Sequence, residues 1–211
     1  MKTIFWNVDT QEDFMDAKGA LSVKGAWVIR PVLKEITEYA RANGIRVVNT
    51  ADCHTEKSKE ISKTPDFKTT FPAHCMVDGG KGIDFIDETY PKVFKDNYSM
   101  VCYTDKDLHH SFDRARNIII YKDAFDVFEG NHLTDKVIKK LAPEVAVIYG
   151  VATNVCVHFA VIGLIERGIK VLIIKNAIKE LPFGNIEYIY NKWRIAGAML
   201  TEWPRVKVLI K

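Results

Sequence analysis

Three apolar runs in the second half of the chain constrain its fold most: NIIIY from Asn117, VAVIY from Val145 and KVLII from Lys170. Each has the length of a strand and is rich in β-branched residues. Each is apolar at successive positions, where a strand with one face in water would alternate. Such runs belong to a parallel sheet covered on both faces. Helical patterns separate them, His132 to Leu141 and Asn154 to Arg167, the second stopped by Gly168. Strands alternating with helices define an α/β domain.

The first half begins the same way. Ile4 to Val8 reads as a strand that ends at Asp9, and Ile45 to Thr50 as a second, ending just before Asp52. Trp27 to Ala42 has helical spacing, with Val28, Val32, Ile36 and Tyr39 on one face, Pro31 in its first turn and Asn43-Gly44 as its stop. After the third apolar run, Ile186 to Gly197 reads as a helix and Arg205 to Ile210 as a last strand. The expectation is a Rossmann-like doubly wound domain spanning 1–211, with a mainly parallel six-stranded sheet and helices on both faces. Residues 55–115 are polar and rich in Pro and Gly, and are expected to form short elements covering an active site. Trp193 and Trp203 are expected to pack the C-terminal helix and strand or a subunit contact.

Lys and Arg number 30 against 27 Asp and Glu, a net charge of +3, which gives no pull toward nucleic acid or an anionic membrane. No apolar run reaches the roughly 18 residues of a membrane span. The N-terminal MKTIFWNVDTQEDF lacks the apolar core of a signal peptide. Four cysteines without a C-x-x-C spacing read as free thiols of a cytoplasmic protein. That spacing also argues against a redox role, and no G-x-G-x-x-G follows the first strand to suggest dinucleotide binding.

In open α/β sheets, ligands bind beyond the carboxyl ends of the strands. Asp9, Asp52, Lys122 and the turn GVATNVC, Gly150 to Cys156, all fall there. Cys156 would sit at a helix N-terminus, whose unpaired N–H groups and partial positive charge favour a thiolate and could hold an oxyanion. A small buried cysteine is the competing reading for that turn alone. Asp9 can accept the thiol proton and Lys122 can stabilise the ion pair. Asp52, His54 and His74 are a carboxylate and two imidazoles suited to Zn²⁺, Mn²⁺ or Fe²⁺. Glu60 is a tentative fourth ligand, set in a Lys- and Glu-rich run. Cys75 adjoins His74, but neighbouring side chains would have to turn the same way, so His74 is preferred.

These residues carry a resemblance to the cysteine hydrolases of the isochorismatase-like superfamily, and within it to the nicotinamidases. VDTQEDF, Val8 to Phe14, resembles the family's D-x-Q-x-D-F, and GVATNVC resembles its nucleophile turn. The resemblance implies that Asp9 is the catalytic acid/base and Cys156 the nucleophile. It implies a cis peptide between Val151 and Ala152, with the N–H groups of Ala152 and Cys156 as the oxyanion hole. KDAFDVFEGN, from Lys122, matches the family's lysine motif better than KDNYSM, from Lys95, because only the former follows an apolar strand. FPAHC, with His74, is similar to the nicotinamidase WPxHC. It implies a metal held by Asp52, His54 and His74, zinc first, and Phe14 and Phe71 as walls around the substrate ring.

The expected activity is therefore hydrolysis of a small amide through a thioester, nicotinamide to nicotinic acid and ammonia above all. The alternatives are another small amide, a carbamoyl or ureido compound, or a binding protein without catalysis. The expected partners are that small molecule and further copies of the chain, with no nucleic acid and no membrane.

Overall fold

The computed structural model describes residues 2–91, 98–101, 112 and 115–210. Seven parallel strands form one sheet: β1 (Thr3–Val8), β2 (Arg46–Asp52), β3 (Tyr98–Val101), β4 (Asn117–Lys122), β5 (Val145–Val151), β6 (Lys170–Lys179) and β7 (Met199–Thr201). Their spatial order is β3-β4-β2-β1-β5-β6-β7. From β1 the chain winds outward through β2 to β4, then returns to place β5 on the other side of β1. The winding direction therefore reverses between β1 and β5, where a doubly wound sheet opens its ligand crevice.

Successive side chains of β1 show why the runs are apolar throughout. Phe5 points to one face, where it meets Tyr39 of α2 (Ala26–Ala42) and Trp203 of α7 (Trp203–Leu209). Trp6 points to the other and stacks on Phe128 of α3 (Val127–Gly130). That second face also carries α5 (Cys156–Glu166), which packs on β5, β6 and β1. Both rings are fully buried, at about 2–3 kcal/mol each. The remaining helices set out among the described residues are α1 (Glu12–Met15), α4 (Thr134–Leu141) and α6 (Ile186–Ile195).

Several local expectations change. The segment expected as a last strand, 205–210, lies in helix α7. Its alternating Val206, Val208 and Ile210 suggest a strand. However, Pro204 suits a helix's first turn, where its missing N–H costs nothing. Trp203 and Val206, one turn apart, are buried, whereas Val208 is exposed. The short β7 lies beside β6 in the sheet instead. Helix α2 buries Ala26, Ile29, Leu33, Ile36 and Ala40, so its core face is rotated from the one read in the sequence, and Val28 is exposed. Pro31 lies inside α2 beyond its first turn, on the solvent side. Trp193 and Trp203 are both core residues.

Within the long polar stretch, residues 55–91 consist of turns, isolated bridges and one 3₁₀ turn at Gly80–Ile83, and Tyr98–Val101 form β3. Lys95, the rival lysine, lies outside the described residues.

Candidate active site

The register of the sheet assembles the site. Asp52 and Lys122 are direct partners across β2 and β4, and Val8, the residue before Asp9, is paired with both Thr50 and Gly150. Asp9, Asp52, Lys122 and the start of α5 thus meet at the carboxyl ends of four adjacent strands. All four side chains are buried, at most 7% exposed.

Lys122 is the hub. Its Nζ lies 3.0 Å from Asp9 Oδ2 and 3.6 Å from Cys156 Sγ. It also donates to Asp52 Oδ1 in a short contact and to Ala124 O at 3.1 Å. Burial alone would discharge an ammonium, but the Asp52 and Asp9 carboxylates outweigh it and hold Lys122 protonated well above its ordinary range. Asp52 also feels burial, yet the Lys122 ammonium and His54 keep its carboxyl well below the usual carboxylate range. Asp9 differs: burial pushes it up by more than Lys122 pulls it down. Thr50 Oγ1 donates to Asp9 Oδ1 at 2.5 Å. Asp9 Oδ2 lies beside the ammonium without hydrogen-bond alignment, so it keeps a lone pair to receive a proton.

The Cys156 thiol is pushed well above its ordinary value by burial, which outweighs the Lys122 ammonium, and the Asp9, Asp52 and Glu60 carboxylates push the same way as burial. The helix N-terminus was expected to lower that value. Desolvation wins in the resting site, so the cysteine is a neutral thiol at pH 7. The thiol thus holds its proton in the resting site, beside a carboxyl raised from its ordinary value and an ammonium within reach of both.

The turn before Cys156 contains a cis peptide between Val151 and Ala152. Ala152 O accepts from the N–H groups of Val155 and Val157, and Lys179 O accepts from Thr153 N–H. Among the described residues, the N–H groups of Ala152 and Cys156 have no acceptor within the chain. Gly150, two residues from the cis bond's far end, has φ +117, and a Cβ there would lie 2.0 Å from Val8 O. Only glycine lets β5 pass β1 this closely.

A second cluster adjoins the first. The ligand atoms of Asp52, His54 and His74 lie within 4.8 Å of one another. Asp52 Oδ2 is 3.7 Å from His54 Nε2 and 3.9 Å from His74 Nε2, and Glu60 Oε2 is 3.8 Å from His54 Nε2. His74 Nδ1 contacts Pro72 O at 2.7 Å, which leaves Nε2 with a lone pair toward the cluster. Both ring nitrogens of His54 and Oε2 of Glu60 are buried without a hydrogen-bond partner. Burial lowers His74, favouring the neutral ligand form, and burial followed by the Asp52 charge raises Glu60 to about 7. Buried ligand atoms converging from a carboxylate and two imidazoles, with His54 and Glu60 left unsatisfied, fit a divalent cation. Asp52 serves both clusters, one oxygen toward Lys122 and the other toward the imidazoles.

The pocket over Cys156 is lined by Phe14, Phe71, Phe125, Leu181, Asp52 and His74 among others. Phe14 and Phe71 both neighbour the His74 ring, at 5.4 and 6.3 Å. Phe125, inside the KDAF motif, and Leu181 complete a wall that the sequence reading did not include. The rest of DTQEDF is structural. The Gln11 side chain brackets Asp52, accepting from its N–H at 2.7 Å and donating to its carbonyl and to Ile83 O, both at 2.8 Å. Asp13 Oδ2 accepts from Cys75 N–H at 2.7 Å, fixing the residue after His74.

Fold and site together define a doubly wound α/β protein with a buried Asp-Lys-Cys cluster at its switch point. Residues 103–203, just under half of the chain, match the family model described as the Isochorismatase domain. A nicotinamidase/pyrazinamidase of Mycobacterium tuberculosis is 36% identical over 78 residues. That match covers 37% of this chain and 40% of that enzyme. Among solved structures, a pyrazinamidase of Pyrococcus horikoshii in complex with zinc has a TM-score of 0.74 at 22% identity, covering 96% of this chain and 100% of that one. A nicotinamidase of Bacillus subtilis has 0.73 at 21%, with 96% and 100% covered. An N-carbamoylsarcosine amidase of Thermoplasma acidophilum has 0.71 at 21%, with 96% of each chain covered. At these identities the likeness establishes the shared fold. No helix among the described residues is long and apolar enough to cross a membrane.

Proposed function

We propose that the chain is a cysteine amidohydrolase that opens the C–N bond of a small, flat amide, with nicotinamide as the first candidate. The observation that carries this is Lys122 Nζ, 3.0 Å from Asp9 Oδ2 and 3.6 Å from Cys156 Sγ. The Cys156 thiol passes its proton to Asp9 Oδ2 as Sγ attacks the carbonyl carbon, and Lys122 offsets the charge that develops on sulfur. The N–H groups of Ala152 and Cys156 take the oxyanion. When the tetrahedral adduct collapses, Asp9 returns the proton to the leaving nitrogen and ammonia departs, leaving a thioester. Asp9 then takes a proton from water as that water attacks the thioester; the C–S bond breaks, Asp9 returns the proton to sulfur, and the acid and free thiol are released. A raised Asp9 suits these transfers, because a carboxyl far from neutrality gives and takes protons poorly.

Asp52, His54 and His74, with Glu60 beside them, would hold a divalent metal, zinc first on the strength of the P. horikoshii complex. Its chemistry when bound is that of a Lewis acid able to fix a lone pair of the substrate. Phe14 and Phe71 flank that position and favour an aromatic ring. The Thermoplasma neighbour supports a second reading, a carbamoyl compound as substrate. The thiols of Cys75 and Cys156 are in keeping with a cytoplasmic enzyme.

Ammonia release from nicotinamide, pyrazinamide and a carbamoyl amino acid, by wild type and Cys156→Ala, tests both readings. Wild-type turnover lost in Cys156→Ala is expected. Turnover of the carbamoyl compound alone would transfer the assignment to the second reading, and full activity in Cys156→Ala would refute the mechanism.

A further inference from the structure

The turn that carries Cys156 also carries a side chain that no step above uses. Asn154 Nδ2 donates to Leu181 O at 3.2 Å and to Phe183 O at 2.6 Å, and its Oδ1 accepts from Leu181 N–H at 2.9 Å. The segment it holds lies between Lys179, where β6 ends, and Ile186, where α6 begins. The bond from Thr153 N–H to Lys179 O, 2.8 Å long, ties the turn to the end of β6. Past it, the Asn154 amide reads the Leu181 backbone as donor and acceptor together, as a strand rung would. Both ends of this clamp matter to the pocket. Leu181 lines it directly, and the Phe183 ring stacks on Phe71 at 6.3 Å and 29°.

We propose that Asn154 is a positioning residue that holds the Leu181–Phe183 wall against the nucleophile turn and thereby sets the size of amide the pocket accepts. The proposal rests on Cys156 as the nucleophile and on this pocket as the amide site. A side chain two residues from the nucleophile would then govern fit rather than chemistry, because its three bonds all go to the main chain of Leu181 and Phe183. Losing them frees a loop whose apolar side chains must otherwise stay pressed against the substrate.

Steady-state kinetics on nicotinamide and on a ring-substituted, bulkier nicotinamide are the first measurement. In Asn154→Ala, KM for nicotinamide is expected to rise about tenfold with kcat within about twofold, and the bulkier amide to gain relative to nicotinamide. Asn154→Asp keeps the acceptor for Leu181 N–H and loses both donors, so it should fall between. Phe183→Ala removes the ring and keeps the Leu181 bonds; it should shift selectivity the same way and combine with Asn154→Ala less than additively. It also carries the test if Asn154→Ala fails to fold. A fall in kcat at unchanged KM, or no change in either, overturns the proposal.

The second measurement needs no turnover. Cys156 in the full chain is alkylated with iodoacetamide and with N-phenylmaleimide, and modification is read at that residue by peptide mapping. The ratio of bulky to small reagent rate should rise several-fold in Asn154→Ala; an unchanged ratio overturns the clamp. A raised ratio in a protein whose wild type hydrolyses no amide would keep the clamp and refute the proposed function.

Discussion

Replacing Lys122 by methionine removes one ammonium and leaves the side-chain length nearly intact. Two carboxyls then remain buried, Asp9 fully and Asp52 at 2% exposure, with no charge between them. Breaking a buried ion pair on one side costs about 3–5 kcal/mol, because the remaining charge is uncompensated. Against a total stability of about 5–15 kcal/mol the variant should be barely folded at neutral pH. At about 2–4 °C per kcal/mol for a chain of this size, the melting temperature should fall by roughly 6–20 °C. The pH dependence carries the sharper test. In the wild type Asp52 lies below its unfolded value, so its contribution is complete above about pH 4 and is lost as pH falls. In the variant both carboxyls move above their unfolded values. Their contribution is then present at low pH and lost as pH rises through the folded values. The deficit relative to wild type should therefore be smaller near pH 4.5 than near pH 8. Asp9, already raised in the wild type, lowers neutral-pH stability in both proteins. Urea unfolding at both pH values, with a chelator present so that no metal neutralises Asp52, measures this. A deficit below about 1 kcal/mol, or one equal at both pH values, would refute the placement of Lys122 as the charged hub.

Gly150→Ala would set a Cβ 2.0 Å from Val8 O at a φ of +117, so soluble yield should collapse; a melting temperature close to wild type would contradict the β1–β5 approach. Gln11→Leu leaves the Asp52 N–H and carbonyl and the Ile83 carbonyl unsatisfied and should cost about 2–4 kcal/mol in denaturant unfolding, with weakened zinc affinity by competition titration. Glu60, raised to about 7, should add a proton-release step to metal binding, so zinc affinity should climb between pH 6 and 8 and climb less in Glu60→Gln. Equal slopes in the two proteins would place Glu60 outside the metal's reach.

The match between sequence and structure was uneven for physical reasons. Strands β1, β2, β4, β5 and β6 were legible because burial on both faces leaves an unbroken apolar run. The edge strands were not: β7 has three residues and β3 four, too short for a pattern. The alternation at 205–210 misled because packing of Trp203 and Val206, not periodicity, decides that segment. In the site, Asp9, Lys122 and Cys156 were readable as chemistry at strand ends, and the cis peptide followed from the family resemblance. Asn154 gave no such signal, since its partners are main-chain atoms 27 and 29 residues away.

The sequence by itself determined the layer architecture, the identity of the chemical groups and their place at the carboxyl ends of strands, because periodicity and turn residues are local properties. Only the tertiary structure decided that β4, β2, β1 and β5 are neighbours in that order, and so that one lysine faces Asp9, Asp52 and Cys156 together. It also decided the protonation of the site. The charge on Asp9 or Cys156 depends on how much water is removed and which opposite charges replace it, and those are set by register and packing across residues far apart in the chain.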